Sequence, residues 1–155
     1  MPKKSAGILV YRFRDGQVEI FLVHPGGPFW AKKDNGAWSI PKGEFEDEDP
    51  LTAARREFKE ETGLEINGDF HPLAPQTLKS GKRVHAWAVE GDLDAGQVRS
   101  NLFEMEWSPG SGRRINVPEV DRGAWLTLGA GLEKINPAQR GFIRELAQRL
   151  QVPLE

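Results

Sequence analysis

The apolar and polar positions of this chain fall into blocks whose periods switch between two and about 3.6 residues, the pattern of a mixed α/β fold. Residues 5–13 (SAGILVYRF) form an apolar run with β-branched and aromatic members. Asp15-Gly16 follows as a turn signal, and residues 18–24 (VEIFLVH) read as the returning strand of a hairpin. Residues 25–39 (PGGPFWAKKDNGAWS) form a loop with two prolines and three glycines, a length at which loops are often functional. Residues 38–41 predict a short extended segment.

Asp49-Pro50 supplies an N-cap and a proline at the first helical position, and a helix then runs through LTAARREFKEET to stop at Gly63. Leu51, Ala54 and Phe58 share the stripe expected to face the core. Beyond it, 64–66, 73–78, 84–89 and 103–107 are strand candidates, with Ser80-Gly81 as a hairpin turn and 108–114 (SPGSGRR) as a flexible basic loop. Residues 124–128 (AWLTL) read as a last strand or the entry to a short helix. Asn136-Pro137 starts a helix with Phe142, Ile143, Leu146 and Leu150 on its apolar face. No repeat or linker divides the pattern, so residues 1–155 are expected to form one domain.

Composition narrows the possibilities. The chain has 155 residues, 38% hydrophobic and 28% charged, the balance of an ordinary globular domain. A net charge of −2 offers no global basic footprint for nucleic acid. The absence of cysteine excludes disulfides, thiolate metal sites and cysteine nucleophiles. No stretch approaches the roughly 20 apolar residues that span a bilayer, and the start, MPKKSAGILVYRF, reads as a strand rather than a secretory signal. A cytoplasmic location is expected.

One segment stands out from this balance. Residues 43–65 (GEFEDEDPLTAARREFKEETGLE) hold nine of the chain's 23 acidic residues. Like charges four apart on a helix repel by about 0.2–0.5 kcal/mol, so the cluster calls for counter-charges or a ligand. Glu57, Glu60 and Glu61 share one arc of the helix, and hard carboxylate oxygens suit Mg²⁺, Mn²⁺ or Ca²⁺. Gly43, just before the helix, could bring a backbone carbonyl to the same place, and Arg56 could orient a neighbouring carboxylate. The plainer alternative is a solvated face, neutralised by Arg55, Arg56 and Lys59.

The order of these residues resembles the signature of the Nudix hydrolase family, G-x5-E-x7-R-E-U-x-E-E-x-G-U, in which U is a bulky apolar residue. Residues 56–64 (REFKEETGL) match its second half at every specified position, and seven residues separate Glu48 from Arg56, as the pattern has it. Gly43 is separated from Glu48 by four residues where the pattern has five. The preceding WSIPK (38–42) and the distal PEVDRGAWL (118–126) are also similar to Nudix sequences. The resemblance implies an α/β/α sandwich with a mixed sheet and a catalytic loop–helix–loop, and hydrolysis of a nucleoside diphosphate linked to another moiety. It further implies that Glu57, Glu60 and Glu61 bind Mg²⁺ (or Mn²⁺), that Gly43 adds its carbonyl and that Arg56 steadies Glu57.

Around that site the sequence offers weaker candidates. Glu119 in VPEVDRGAW is the candidate for an extra ligand or general base; a loop carboxylate in turn hydrogen bonds is the alternative. Lys42, Lys82 and Arg83 are candidate phosphate contacts, each equally readable as a solvated cation. Trp30 is a candidate stacking ring for a base, whereas Trp87 is expected in the core. Glu104 and Glu106 fit the solvent face of a strand. His24, His71 and His85 lack metal-ligand spacing. The functional expectation is a diphosphohydrolase of a nucleotide or dinucleoside polyphosphate. A non-catalytic nucleotide-sensing module and an RNA 5′-end pyrophosphohydrolase are the alternatives. A small-molecule nucleotide is the expected partner, and a homodimer is possible because relatives form one.

Overall fold

The computed structural model describes residues 3–154; Met1, Pro2 and Glu155, the ends of the expected domain span, lie outside the described residues. The chain runs β1 (Lys4–Arg14), β2 (Gln17–Pro25), β3 (Lys42–Phe45), α1 (Pro50–Thr62), β4 (His71–Thr77) and β5 (Arg83–Glu90). It continues with β6 (Leu102–Glu106), β7 (Arg114–Pro118), β8 (Val120–Thr127), α2 (Leu128–Lys134) and α3 (Arg140–Leu150). Short 3₁₀ turns stand at Ala95–Gln97 and Pro137–Gln139.

Six strands form one mixed sheet, ordered β4-β5-β1-β2-β8, with β3 also paired to β1. β1 is its spine. Its first half pairs antiparallel with β3 (Ala6 opposite Gly43), its second half antiparallel with β2, and its other edge parallel with β5. Because helices cover both faces, β1 and β2 are apolar on both sides, which explains their nearly unbroken hydrophobic runs. On one face Ala6, Ile8, Val10, Phe21 and Val23 meet Ala53, Ala54 and Phe58 of α1. On the other, Leu9, Ile20 and Leu22 meet Leu128 of α2 and Phe142, Ile143 and Leu146 of α3. This is the α/β/α sandwich expected.

The local signals act as anticipated at the turns. Asp15 and Gly16 both take positive φ (52° and 79°) in the β1–β2 hairpin. The β4–β5 turn closes through Leu78 N–H to Lys82 O at 2.8 Å. Residues 124–128 resolve into both readings, since β8 ends at Thr127 and α2 begins at Leu128, capped by the Thr127 side chain.

Four details differ from the sequence reading. Residues 64–66 are not a strand; the Thr62 hydroxyl accepts from Leu64 N–H at 3.0 Å and turns the chain away instead. β3 and β7 are strands that short, weakly apolar segments did not announce; their partners, β1 and β6, are remote or lie across a loop. Leu51 is half-buried, and Ala53 takes its place against the sheet, because small residues let α1 approach closely. Trp87 is half-buried at the rim of the core. Among the described residues, no helix is long and apolar enough to cross a membrane.

Candidate active site

The acidic loop and helix are built as their sequence dictates. Asp49 caps α1, its carboxylate accepting from Thr52 N–H at 3.1 Å, and Pro50 opens the first turn. Gly63 ends the helix in the left-handed region (φ 74°), its N–H donating to Lys59 O at 2.7 Å. Close approach of α1 to β3 turns Glu57 inward, where it is 8% exposed. Gly43 lies directly beneath it: a Cβ there would overlap the Glu57 carboxylate. The short spacing between Gly43 and Glu48 does not pull Glu48 out of reach of α1.

Arg56 is the hub of the acidic cluster. Its Nε donates to the two Glu48 carboxylate oxygens at 3.1 and 2.9 Å, and its Nη2 to Glu48 at 2.5 Å. Its Nη1 donates to Glu57 at 2.8 Å and to Glu60 at 3.2 Å. One guanidinium thus bridges three carboxylates, offsetting a single negative charge, and their charges hold its proton more firmly than usual. Counter-charges therefore answer part of the crowding. Glu61 is served separately, accepting from Lys42 N–H at 3.1 Å.

The remaining electrostatics are unfavourable to negative charge. Burial pushes the Glu61 carboxyl up to about 8, opposed by Lys42 and reinforced by Glu119 and Glu57. Burial also raises Glu57, against the pull of Arg56 and with a push from Glu60 and Glu119. Glu119 is raised by burial and then by Glu60. Lys42 is lowered, chiefly by burial. Carboxylates raised by burial and by one another would accept a cation readily.

As they stand, among the described residues no three carboxylates or imidazoles are close enough together to enclose an ion. Glu57, Glu60 and Glu61 share the arc of α1 but take different partners. Arg56 draws Glu57 and Glu60 to itself, and the Lys42 amide holds Glu61. The donor set is nevertheless all oxygen, and the glycine beside Glu57 keeps a side-chain-free space. These residues fit a hard divalent cation once Arg56 shares its partners.

A cleft of about 200 Å³ opens beside Glu61, lined by Trp30, Trp38, Lys42, Glu119 and Gln139 among others. Four predicted residues therefore meet in one place: Trp30, Lys42, Glu61 and Glu119. Trp30 stands edge-on to Phe29, ring centroids 5.0 Å apart. Lys82 reaches Glu44 at 2.6 Å, close enough to Lys42 to repel it. Arg83 does not line this cleft; it borders a separate depression of about 1000 Å³ with Lys3, Lys4 and Phe45. Glu104 and Glu106 stay on the β6–β7 hairpin, the first paired with Arg114 at 2.9 Å, the second accepting from Gly110 and Gly112.

Two cleft residues escaped the sequence reading. Trp38 and Gln139 look like ordinary core and helix-start residues. Gln139 joins the layers: its Oε1 accepts from Ile40 N–H at 3.1 Å and its Nε2 donates to the Ser39 hydroxyl at 3.0 Å. An aromatic directly ahead of SIPK was the available signal for Trp38.

Residues 1–146 match the family model of the NUDIX domain. An octanoyltransferase of Myxococcus xanthus is 27% identical over 135 residues, covering 86% of this chain and 33% of that protein. The chain spans about a third of the length of the curated relatives it matches. Among solved structures, an Ap4A hydrolase binary complex from C. elegans superposes with a TM-score of 0.68 at 23% identity, covering 96% of this chain and 98% of that one. The NUDIX domain of Shewanella oneidensis NrtR, complexed with ADP ribose, gives 0.67 at 15% identity over 97% and 89%. With the signature residues on a capped helix against Gly43 and the family model spanning nearly its whole length, the chain belongs to the Nudix family.

Proposed function

We propose that this chain is a metal-dependent hydrolase that cleaves a pyrophosphate linkage in a nucleoside diphosphate derivative, a nucleotide or dinucleoside polyphosphate, by attack of water on phosphorus. The observation that carries the reading is the meeting of Glu61 with Glu119, Lys42 and Trp30 at one cleft, beside Glu57. That one similar fold is an Ap4A hydrolase in a binary complex and another was captured with ADP ribose supports it.

In this reading Glu57, Glu60, Glu61 and the Gly43 carbonyl hold Mg²⁺ (or Mn²⁺), which when bound neutralises the pyrophosphate and makes water more acidic. The chain's own groups do the rest. Arg56 keeps Glu57 in one orientation by its hydrogen bond. Lys42 meets a phosphate oxygen, and Lys82, across Glu44, meets a more distal one. Arg83 has no part here. Trp30 stacks on the base. Glu119, raised toward neutrality, is suited to take the proton from water. The enzyme would work in the cytoplasm on a small molecule.

One observation favours a second reading, a nucleotide-sensing module without turnover: Arg56 already satisfies Glu48, Glu57 and Glu60. The test is product-resolved hydrolysis of dinucleoside polyphosphates, nucleoside triphosphates, ADP-ribose and nucleotide sugars with Mg²⁺ or Mn²⁺, beside a Glu60→Gln, Glu61→Gln variant. Turnover of one class, lost in the variant, is expected. Binding of a nucleotide without turnover would replace the hydrolase by the sensing module.

A further inference from the structure

We infer that the depression bordered by Arg83 is the distal half of the substrate site and holds the second nucleoside of a dinucleoside polyphosphate, an inference that rests on the cleft beside Glu61 holding the first. The cleft measures about 200 Å³ and the depression about 1000 Å³. The first is smaller than the roughly 300–1,000 Å³ of a pocket that encloses a whole small ligand, and the second is large enough. A ligand seated by its base at Trp30 must therefore continue elsewhere.

β3 joins the two hollows. Lys42 and Glu44 project from one face of this strand, two residues and about 7 Å apart. Lys42 lines the cleft, and Glu44 lines the depression. Lys82 stands between them: it pairs with Glu44 at 2.6 Å, and its charge repels Lys42. A polyphosphate leaving the cleft at Lys42 meets Lys82 next, and its far end arrives at the depression. The carboxylate that such a phosphate displaces has a partner at hand. Ser5 is fully buried, and its hydroxyl has no hydrogen-bond partner among the described residues. It stands opposite Glu44 across the β1–β3 pair, on the same face, where facing side chains begin about 4.5–5.5 Å apart. Once phosphate takes Lys82, the Ser5 hydroxyl can donate to Glu44. A buried hydroxyl left unmatched beside an ion pair is explained if that pair exchanges partners.

The lining suits a nucleoside better than bare phosphate. An anion site would be basic throughout, but here the charges are mixed. Lys3 lies 3.8 Å from Glu44, and the Lys4 ammonium sits over the buried Phe45 ring at 4.9 Å. Glu46 and Asp47, from the loop before α1, add exposed carboxylates that can accept from ribose hydroxyls. Arg83 is exposed and makes no ion pair among the described residues. Its flat guanidinium is a surface on which a base stacks. Gly81 leaves the rim open, since a Cβ there would meet nothing within 4 Å.

Calorimetry on the full chain, with Ca²⁺ in place of Mg²⁺, tests this by comparing diadenosine tetraphosphate, ADP and inorganic tripolyphosphate. The wild type should bind the dinucleotide about tenfold more tightly than either of the others. Arg83→Ala should lose about tenfold for the dinucleotide and stay within about twofold for ADP. The unchanged ADP affinity would also show that the variant is folded. Weakening of both nucleotides alike, or of neither, overturns the distal site. Tripolyphosphate bound as tightly as the dinucleotide would leave an anion site and remove the nucleoside. With Mg²⁺, the KM of Arg83→Ala should rise by the same factor for the dinucleotide and not for ADP-ribose; an equal rise for both overturns the assignment. Calorimetry needs no turnover, so the two readings fail separately. A selective loss of binding in a chain that hydrolyses nothing keeps the distal site and removes the hydrolase, and turnover without selective loss does the reverse.

Discussion

At Gly43 the backbone of β3 runs so close to Glu57 that a methyl group would overlap its carboxylate. Gly43→Ala must displace either the strand or the glutamate, a strain of about 1–3 kcal/mol. A lower melting temperature is expected, together with a loss of about a hundredfold in kcat, since a displacement near 1 Å at reacting groups costs that much. Steady-state kinetics that leave kcat at the wild-type value would show that Glu57 does not depend on this contact. The residue scale also shows what a signature hides. Glu57, Glu60 and Glu61 follow one another within a turn and a half, yet two lean on Arg56 and the third on the Lys42 amide. Spacing tells which carboxylates share a face; it does not tell which cation each one finds.

The helix α1 is the element most fully written in the sequence. Its cap, opening proline and left-handed glycine are all local and stand where the pattern put them, while in its apolar stripe Ala53 replaces Leu51 against the sheet. Gly63→Ala tests the last of these: a φ of 74° is costly for alanine, and its Cβ would press on the Arg99 carbonyl. A loss of at least about 1 kcal/mol in urea unfolding is expected; an unchanged midpoint would mean that the helix end relaxes freely. β3 and β7 were not legible for the opposite reason. They span four and five residues, too few to show a period, and long-range partners make them strands. The 3₁₀ turn before α3 contributes a buried side chain to the other layer. Gln139→Leu would leave the buried Ile40 N–H without its acceptor, at about 1–3 kcal/mol. Chemical denaturation of that variant should register the loss, and an unaltered stability would argue that water replaces the amide.

For the whole molecule, the buried carboxylates link folding to pH and to metal. Glu61 holds its proton up to about 8 in the fold, against an ordinary value of 4.5 for glutamate, and Glu57 and Glu119 are shifted the same way. Between those limits the folded chain binds more protons than the unfolded one. The stabilisation is complete below about pH 4.5 and is lost as pH rises through 8. With chelator present, the melting temperature should therefore fall from pH 5 to pH 8 on account of these groups. Millimolar Mg²⁺ should restore it, and more strongly at pH 8, because the ion competes with protons for the same oxygens. A Mg²⁺ effect equal at both pH values, or none at either, would remove the carboxylate cluster as the ion's site.

The sequence by itself determined what depends on neighbours three or four residues away. The capped helix, the order of its acidic residues, the hairpin turns and the apolar runs with a covered sheet to match all belong to that class. Tertiary structure decided everything that depends on burial and on partners far along the chain. It brought Glu119 to Glu61, closed Trp30, Trp38 and Lys42 around one cleft, sent Arg83 to another, and sealed His24 between Lys33 and Asp121. The physical reason is that chain stiffness and side-chain periodicity act locally. The proton affinity of a carboxyl or an imidazole is set instead by the dielectric and charges around it, which exist only once the sheet has paired.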